Sequence, residues 1–398
     1  MPVDEAVRDY LSLAVALDHL RPGTISVRAG DGPTPPGPVR SPGALVRAAG
    51  ELTVRLPGLG LEPRRERFLA AQLVALESAA RRLAGQGVPY AAALRAAADG
   101  PVGAGDEDGY RAAHRDLDAL LPGSGDLATR LAEHRRRDEV PVDLLPAAVD
   151  ALADALRERA RDAGLVDGAE KVAFEVVGDA SWSALHQRSG PGSSRVLVNA
   201  GVRPRRAGLA RLLAHEAYPG HHVEQWRRET VLVGERGWAE HRLVVLGTPQ
   251  ALLAEGAAEN GLYALVGSGW GRWASEVLSS VGLGFDGEHA ERVGAAVARL
   301  AGVRLDAALL WHGGRGRSGD AEAHLRRWLL LDDRGARRVL RFVADPRWRD
   351  HVVTYVVGGP LVRRWLDLPG ATPARQLRTL HDEPWTPSGL REELRRTG

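Results

Sequence analysis

His215, Glu216, His221 and His222 fall within eight residues of a chain that has 13 histidines in 398 residues. A histidine followed at once by a glutamate, at the end of an apolar run, suits metal-assisted hydrolysis. The histidine binds the ion. The glutamate, about 100° further round a helix, takes a proton from a water on that ion. Leu209, Leu212 and Leu213 give the run helical spacing, so His215 and Glu216 are expected on or beside a buried face. A second histidine four residues on would complete such a helix. Here that place is Pro219, which binds no metal, lacks an N–H and clashes with the carbonyl four residues back. The helix must therefore widen or break at Pro219-Gly220, and the second ligand is His221 or His222. The competing reading is a capped surface helix followed by a polar turn.

A third donor lies downstream. Thr248 can cap a helix and Pro249 suits its first position. The apolar run that follows ends in Glu255, where a leucine would fit the pattern. A carboxylate on a largely apolar helix needs a partner, and a metal is a good one. Two histidines, a glutamate and a water form a known catalytic zinc set. The alternative is a solvated helix face carrying Glu255 and Glu259.

His215-Glu216-Ala217-Tyr218-Pro219-Gly220-His221-His222, followed by Glu255-Gly256-Ala257-Ala258, resembles the family called domain of unknown function 885. Its members carry an H-E-x-x-P-G-H-H segment and a later E-G-W-A segment. They are regarded as zinc metallopeptidases similar to the helical gluzincins, whose motif is H-E-x-G-H. The likeness extends to Arg195-Val196-Leu197-Val198-Asn199, to Trp348 through Gly358 and, more faintly, to Leu17 through Gly23. It covers the C-terminal three-fifths of the chain, and its eight-residue motif is the specific part. It implies a zinc ion on His215, Glu255 and one of the two histidines, with Gly220-His221 matching the end of the gluzincin motif. It implies amide-bond hydrolysis of a small peptide or amide substrate, with Glu216 as general base. It also implies that Tyr355, in Thr354-Tyr355-Val356-Val357-Gly358, donates a hydrogen bond to the developing oxyanion; an ordinary half-buried tyrosine is the alternative. The chain departs from the family at Ala257, Asn260 and Leu262, where a Trp, a Tyr and a Glu are usual. That puts the family's substrate pocket in doubt. His381 also echoes the family, as a supporting or a surface residue. His186, His241 and His351 rank below Tyr355 as further participants.

The elements that must position these residues follow from the remaining pattern. Val3, Val7, Tyr10, Leu11, Ala14 and Leu17 give a first helix that Arg21-Pro22-Gly23 ends. Residues 23–43, with Pro33-Thr34-Pro35-Pro36-Gly37-Pro38, read as a loop. Residues 44–165 read as several helices. Strands are expected at Lys171–Val177, Trp182–His186 and Arg195–Val198, the last two joined across Gly190-Pro191-Gly192. An edge strand of such a sheet can hold an extended peptide. Helices are expected at about 286–311, 319–331, 333–343 and 349–368. The expected fold is mainly α with a small β-sheet, a zincin-like metallohydrolase. A helical region over 1–165 and a catalytic region over 166–398 would form one compact unit.

Composition sets the class. With 44% hydrophobic and 26% charged residues the chain is an ordinary globular protein. The net charge is +2, Lys171 is the only lysine, and the arginines are interspersed with acids. No basic stripe marks a nucleic-acid binder. The absence of Cys excludes disulfides and thiolate ligands. No secretory signal and no apolar run of about 20 residues is seen, so the cytoplasm is expected and no membrane partner. Two rivals stand beside the peptidase reading: an enzyme of the same fold acting on a specialised non-peptide substrate, and a silent metal-binding or interaction protein. Glu216 argues against the second, because a structural site has no use for a base beside its ligand.

Overall fold

The computed structural model describes residues 2–29, 40–180, 182–313 and 318–397. The stretch 33–38, expected as a loop, lies outside them. Among the described residues the fold is mostly helical, 66%, with few strands. These are β1 (Ile25–Arg28), β2 (Lys171–Val177), β3 (Ala184–Gly190), β4 (Ser193–Asn199) and β5 (Leu243–Val245).

The sheet that precedes the His-Glu motif has the order β2-β4-β3. β4 pairs in parallel with β2 and antiparallel with β3. Its position in the middle fits its side chains, since Val196 and Val198 are fully buried. The expected turn at Gly190-Pro191-Gly192 joins β3 to β4, and Gly192 supplies its positive φ of 61°. β3 is left at the edge. The sheet is closed off by Asn199, whose amide donates to the Ala180 and Trp182 carbonyls at 2.8 and 2.7 Å. A second pair, β1 with β5, corrects the expectation of a loop over residues 23–43, since Ile25–Arg28 is a strand there. Segments of three or four residues are too short to show a period of two.

The N-terminal helices Pro2–Leu20, Pro42–Arg55 and Pro63–Leu83 pack with β5 around Tyr10, Leu45, Phe68 and Leu73. The third starts at Pro63, and Glu62 accepts from the Arg65 N–H at 2.9 Å, a regular cap. This helix reaches two parts of the chain that serve the site. Arg65 holds the fully buried Glu240 through two bonds of 2.5 and 2.9 Å. Arg82 clamps Asp350.

The largest core joins Leu94, Leu152 and Leu156 to Leu209, Leu213, Val352 and Leu377. A further cluster gathers the helices Glu107–Leu120, Gly287–Ala298, Gly302–His312, Ser318–Leu329 and Asp333–Ala344 around Leu117, Val303 and Leu325. The expected single helix 286–311 is thus two. The expected helix 349–368 also differs. It is irregular to Val353, a π-helix over Thr354–Gly358 and a regular helix over Gly359–Leu366. Pro360 explains the widened turn, because it has no N–H to return to the Val356 carbonyl.

Two glycines set how deeply this π-helix seats. A Cβ on Gly256 would stand 2.5 Å from the Gly358 carbonyl oxygen, and one on Gly358 would stand 2.5 Å from that of Leu252. The backbones touch with no side chain between them. Asn260 reinforces the contact, donating to the Gly256 and Gly359 carbonyls at 2.8 and 2.9 Å.

Candidate metal centre

The helix Arg206–Glu216 ends where the proline was expected to end it, and a new helix, His221–Arg227, begins five residues later. Between them the chain makes a wide turn. The Gly220 N–H returns to the Ala214 carbonyl, six residues back, at 2.9 Å. Gly220 is required there, because a Cβ would fall inside contact distance of the His215 carbonyl oxygen and 2.5 Å from that of Ala214. The Tyr218–Pro219 bond is cis. His381, 4% exposed, lies near the Pro219 carbonyl of this turn. Its helix, Pro373–Asp382, is fixed to the His221 helix by Arg227, which holds both Asp382 oxygens at 2.5 and 2.6 Å.

This turn carries His221 back to His215. Their rings lie perpendicular with centroids 4.7 Å apart. Glu255 comes from the helix Pro249–Glu259, which starts on the expected Thr248 cap. Its Oε2 lies 3.6 Å from His215 Nε2, and its Oε1 lies 3.6 Å from His221 Nε2. All three donor atoms fall within 4.8 Å of one another. Tetrahedral zinc with ligands near ~2.1 Å would space its donors by roughly 3.4 Å. The residues therefore fit one ion of that kind. The Oε2 of Glu255 is buried with no hydrogen-bond partner, which is a further sign of a site built for a cation. Burial alone would raise the Glu255 carboxyl, but His221, His351 and His215 outweigh it and hold it well below the usual carboxylate range.

His222 does not join this set. It is 1% exposed, and its Nδ1 is bonded to Ser194 Oγ at 2.8 Å. Ser194 also meets His186 Nε2 at 2.8 Å, and Gln225 Nε2 meets His186 Nδ1 at 3.2 Å. With Gln225 donating, His186 carries its proton on Nε2, and the serine hydroxyl is then free to donate to His222. Burial, helped by Arg157, pushes the His222 imidazole down to about 4, so it is neutral. Of the two adjacent histidines, one faces the cluster and the other ties the His221 helix to β4.

Glu216 sits beside the cluster and is not one of its three donors. The backbone of His186 on the edge strand β3 lies near its carboxylate. Burial, and then the nearby Glu255, raise its pKa, against His221, which lowers it. Such a shift suits a proton acceptor. Tyr355 is part of the same environment. Burial first, then Glu255 and Glu259, push its phenol well above its ordinary value, so it remains a donor.

One neighbour of the cluster could not be placed from the sequence. His351 is 4% exposed, its Nε2 is 3.5 Å from Glu255 Oε1, and its ring lies perpendicular to Tyr355 at 5.5 Å. Its only signal was its place in the Trp348–Gly358 stretch. His241 lies elsewhere, tilted against Phe68 with ring centroids 4.3 Å apart and lining a cavity of about 40 Å³ with Arg228, Gln250 and Ala257.

No family model and no curated protein matches the chain. Solved structures are similar, among them two of lipoproteins. One is the crystal structure of a "putative lipoprotein" from Colwellia psychrerythraea, with a TM-score of 0.53 and 14% identity over 88% of this chain and 66% of that one. The other is a "putative lipoprotein of unknown function" from Shewanella oneidensis, with a TM-score of 0.49 and 15% identity over 88% of this chain and 72% of that one. The chain thus spans just under two thirds of the Colwellia protein, and the likeness is one of fold. Among the described residues, no helix is long and apolar enough to cross a membrane.

Proposed function

We propose that the protein is a zinc-dependent hydrolase of amide bonds in small peptides or amides, of the kind its resemblance to the domain of unknown function 885 family implies. The observation that carries this is the spacing of His215, His221 and Glu255 around one point, with Glu216 next to His215 in sequence and outside the donor set. A zinc ion held by these three residues would supply Lewis acidity toward the scissile carbonyl and a more acidic water. Glu216 accepts the proton of the attacking water and passes it to the leaving nitrogen. Tyr355 donates its hydroxyl as charge develops on the carbonyl oxygen. A silent metal-binding role is less well supported, because three donors leave the fourth position of a tetrahedral zinc to water or substrate, with Glu216 next to His215 in sequence. The compartment is likewise a proposal. The sequence points to the cytoplasm, whereas the name of the Colwellia protein, a lipoprotein, points to an anchored relative, and cell fractionation separates the two.

Elemental analysis tests the centre directly. The purified protein should hold about one zinc per chain, and His215→Ala should lose most of it. Full metal content in that variant would remove this site. Tyr355→Phe tests the oxyanion role. It deletes one oxygen and little volume, so folding should persist. Its kcat should fall by the equivalent of about 3–4 kcal/mol with KM nearly unchanged. Near-normal kcat with a small change in thermal unfolding would return Tyr355 to a packing role.

A further inference from the structure

The stretch from Trp348 to Tyr355 is held from several sides. Arg82 clamps Asp350, the Tyr90 hydroxyl bonds to the Arg349 carbonyl, and Thr354 Oγ donates to the His351 carbonyl at 2.7 Å. The His351 ring is gripped between two others, Trp348 at 5.5 Å and Tyr355 at 5.5 Å, both edge-on. Its Nδ1 is buried and, among the described residues, has no hydrogen-bond partner, while its Nε2 faces Glu255 Oε1 at 3.5 Å. A carboxylate facing a ring nitrogen fixes the tautomer that places the proton on that nitrogen. Glu255 then has one oxygen occupied by His351 and one, Oε2, without any hydrogen bond.

We propose that His351 is a positioning residue for the metal centre: its Nε2–H holds Oε1 of Glu255 and leaves Oε2 for the ion. The inference rests on the zinc reading above. It adds a second duty for the segment that carries Tyr355. One rigid stretch sets both the orientation of the ligand carboxylate and the place of the phenol. Nothing in this role requires His351 to touch substrate.

The test is zinc affinity, measured by competition with a chromophoric chelator on the full chain, together with the visible spectrum of the cobalt-substituted protein. His351→Phe keeps the ring between Trp348 and Tyr355 and removes the donor. It should weaken zinc binding by about 10–100-fold, the usual scale for losing a residue that orients a ligand. The cobalt spectrum should keep its coordination number, and thermal unfolding of the metal-free variant should stay close to wild type. His351→Gln restores an N–H donor and should recover part of the affinity. Unchanged affinity in His351→Phe overturns the proposal. So does a cobalt spectrum that loses a nitrogen ligand, which would make His351 a ligand itself, and so does a Gln variant no better than Phe. If the wild-type chain takes up no zinc, the reading of the centre fails first, and that result is distinct from the others.

Discussion

Glu216→Gln should leave zinc content and thermal unfolding nearly unchanged and lower amide hydrolysis by about 10²–10⁴-fold. The amide matches the carboxylate in shape, and it can still meet the backbone of His186 on β3. What it cannot do is accept a proton. Because Glu216 lies outside the three-donor set, metal should remain. The pH profile gives a second readout. A raised carboxyl pKa means that the base is protonated, and inactive, at acid pH. Activity of the wild-type enzyme should therefore rise as pH rises through the Glu216 pKa, and this acid limb should vanish from whatever residual activity the variant has. Loss of zinc from Glu216→Gln would show that Glu216 is a ligand and would undo its assignment as base.

The second large effect is expected at Gly220, where no chemistry occurs. Gly220→Ala places a methyl group against the backbone carbonyls of Ala214 and His215. Neither can rotate away as a side chain would. Relief requires the wide turn to open, and that turn is what brings His221 to His215. We expect overpacking to cost about 1–3 kcal/mol or more and zinc content to fall steeply. Gly50→Ala is the matching control. It lies in the helix Pro42–Arg55, where a Cβ meets nothing within 4 Å. It should stabilise the protein by up to about 1 kcal/mol. Full zinc and an unshifted unfolding temperature in Gly220→Ala would mean that the turn tolerates a side chain and that its geometry does not set the ligand spacing.

Much of the fold's scaffold was legible because it rests on local rules. Thr248-Pro249 starts the Glu255 helix by capping and by the fixed φ of proline. Pro219 ends the His215 helix by removing an N–H. The strands around Gly190-Pro191-Gly192 follow from alternation and turn chemistry. The choice between His221 and His222 was not local. It depends on Ser194, 28 residues upstream, which takes up His222. His351 was hidden for the same reason, being brought to Glu255 by packing that begins with Arg82 on an N-terminal helix. Asn260 looked like a departure that weakened the family pattern. It proves to tie the Glu255 helix to Gly359, a role that no spacing rule announces.

The contact between Gly256 and Gly358 has a genetic consequence, which Gly220 shares. Glycine is the one residue without a Cβ, and every missense change in a glycine codon adds one. At these three positions a base change in the first two codon places therefore inserts a carbon where the backbone already stands. Only silent third-position changes keep the structure. The ligand residues could drift to other donors and keep some metal chemistry, but these glycines have no conservative neighbour in the code. In a random mutagenesis library selected for folded, metal-loaded protein, codons 220, 256 and 358 should be as intolerant of replacement as those of the ligands themselves.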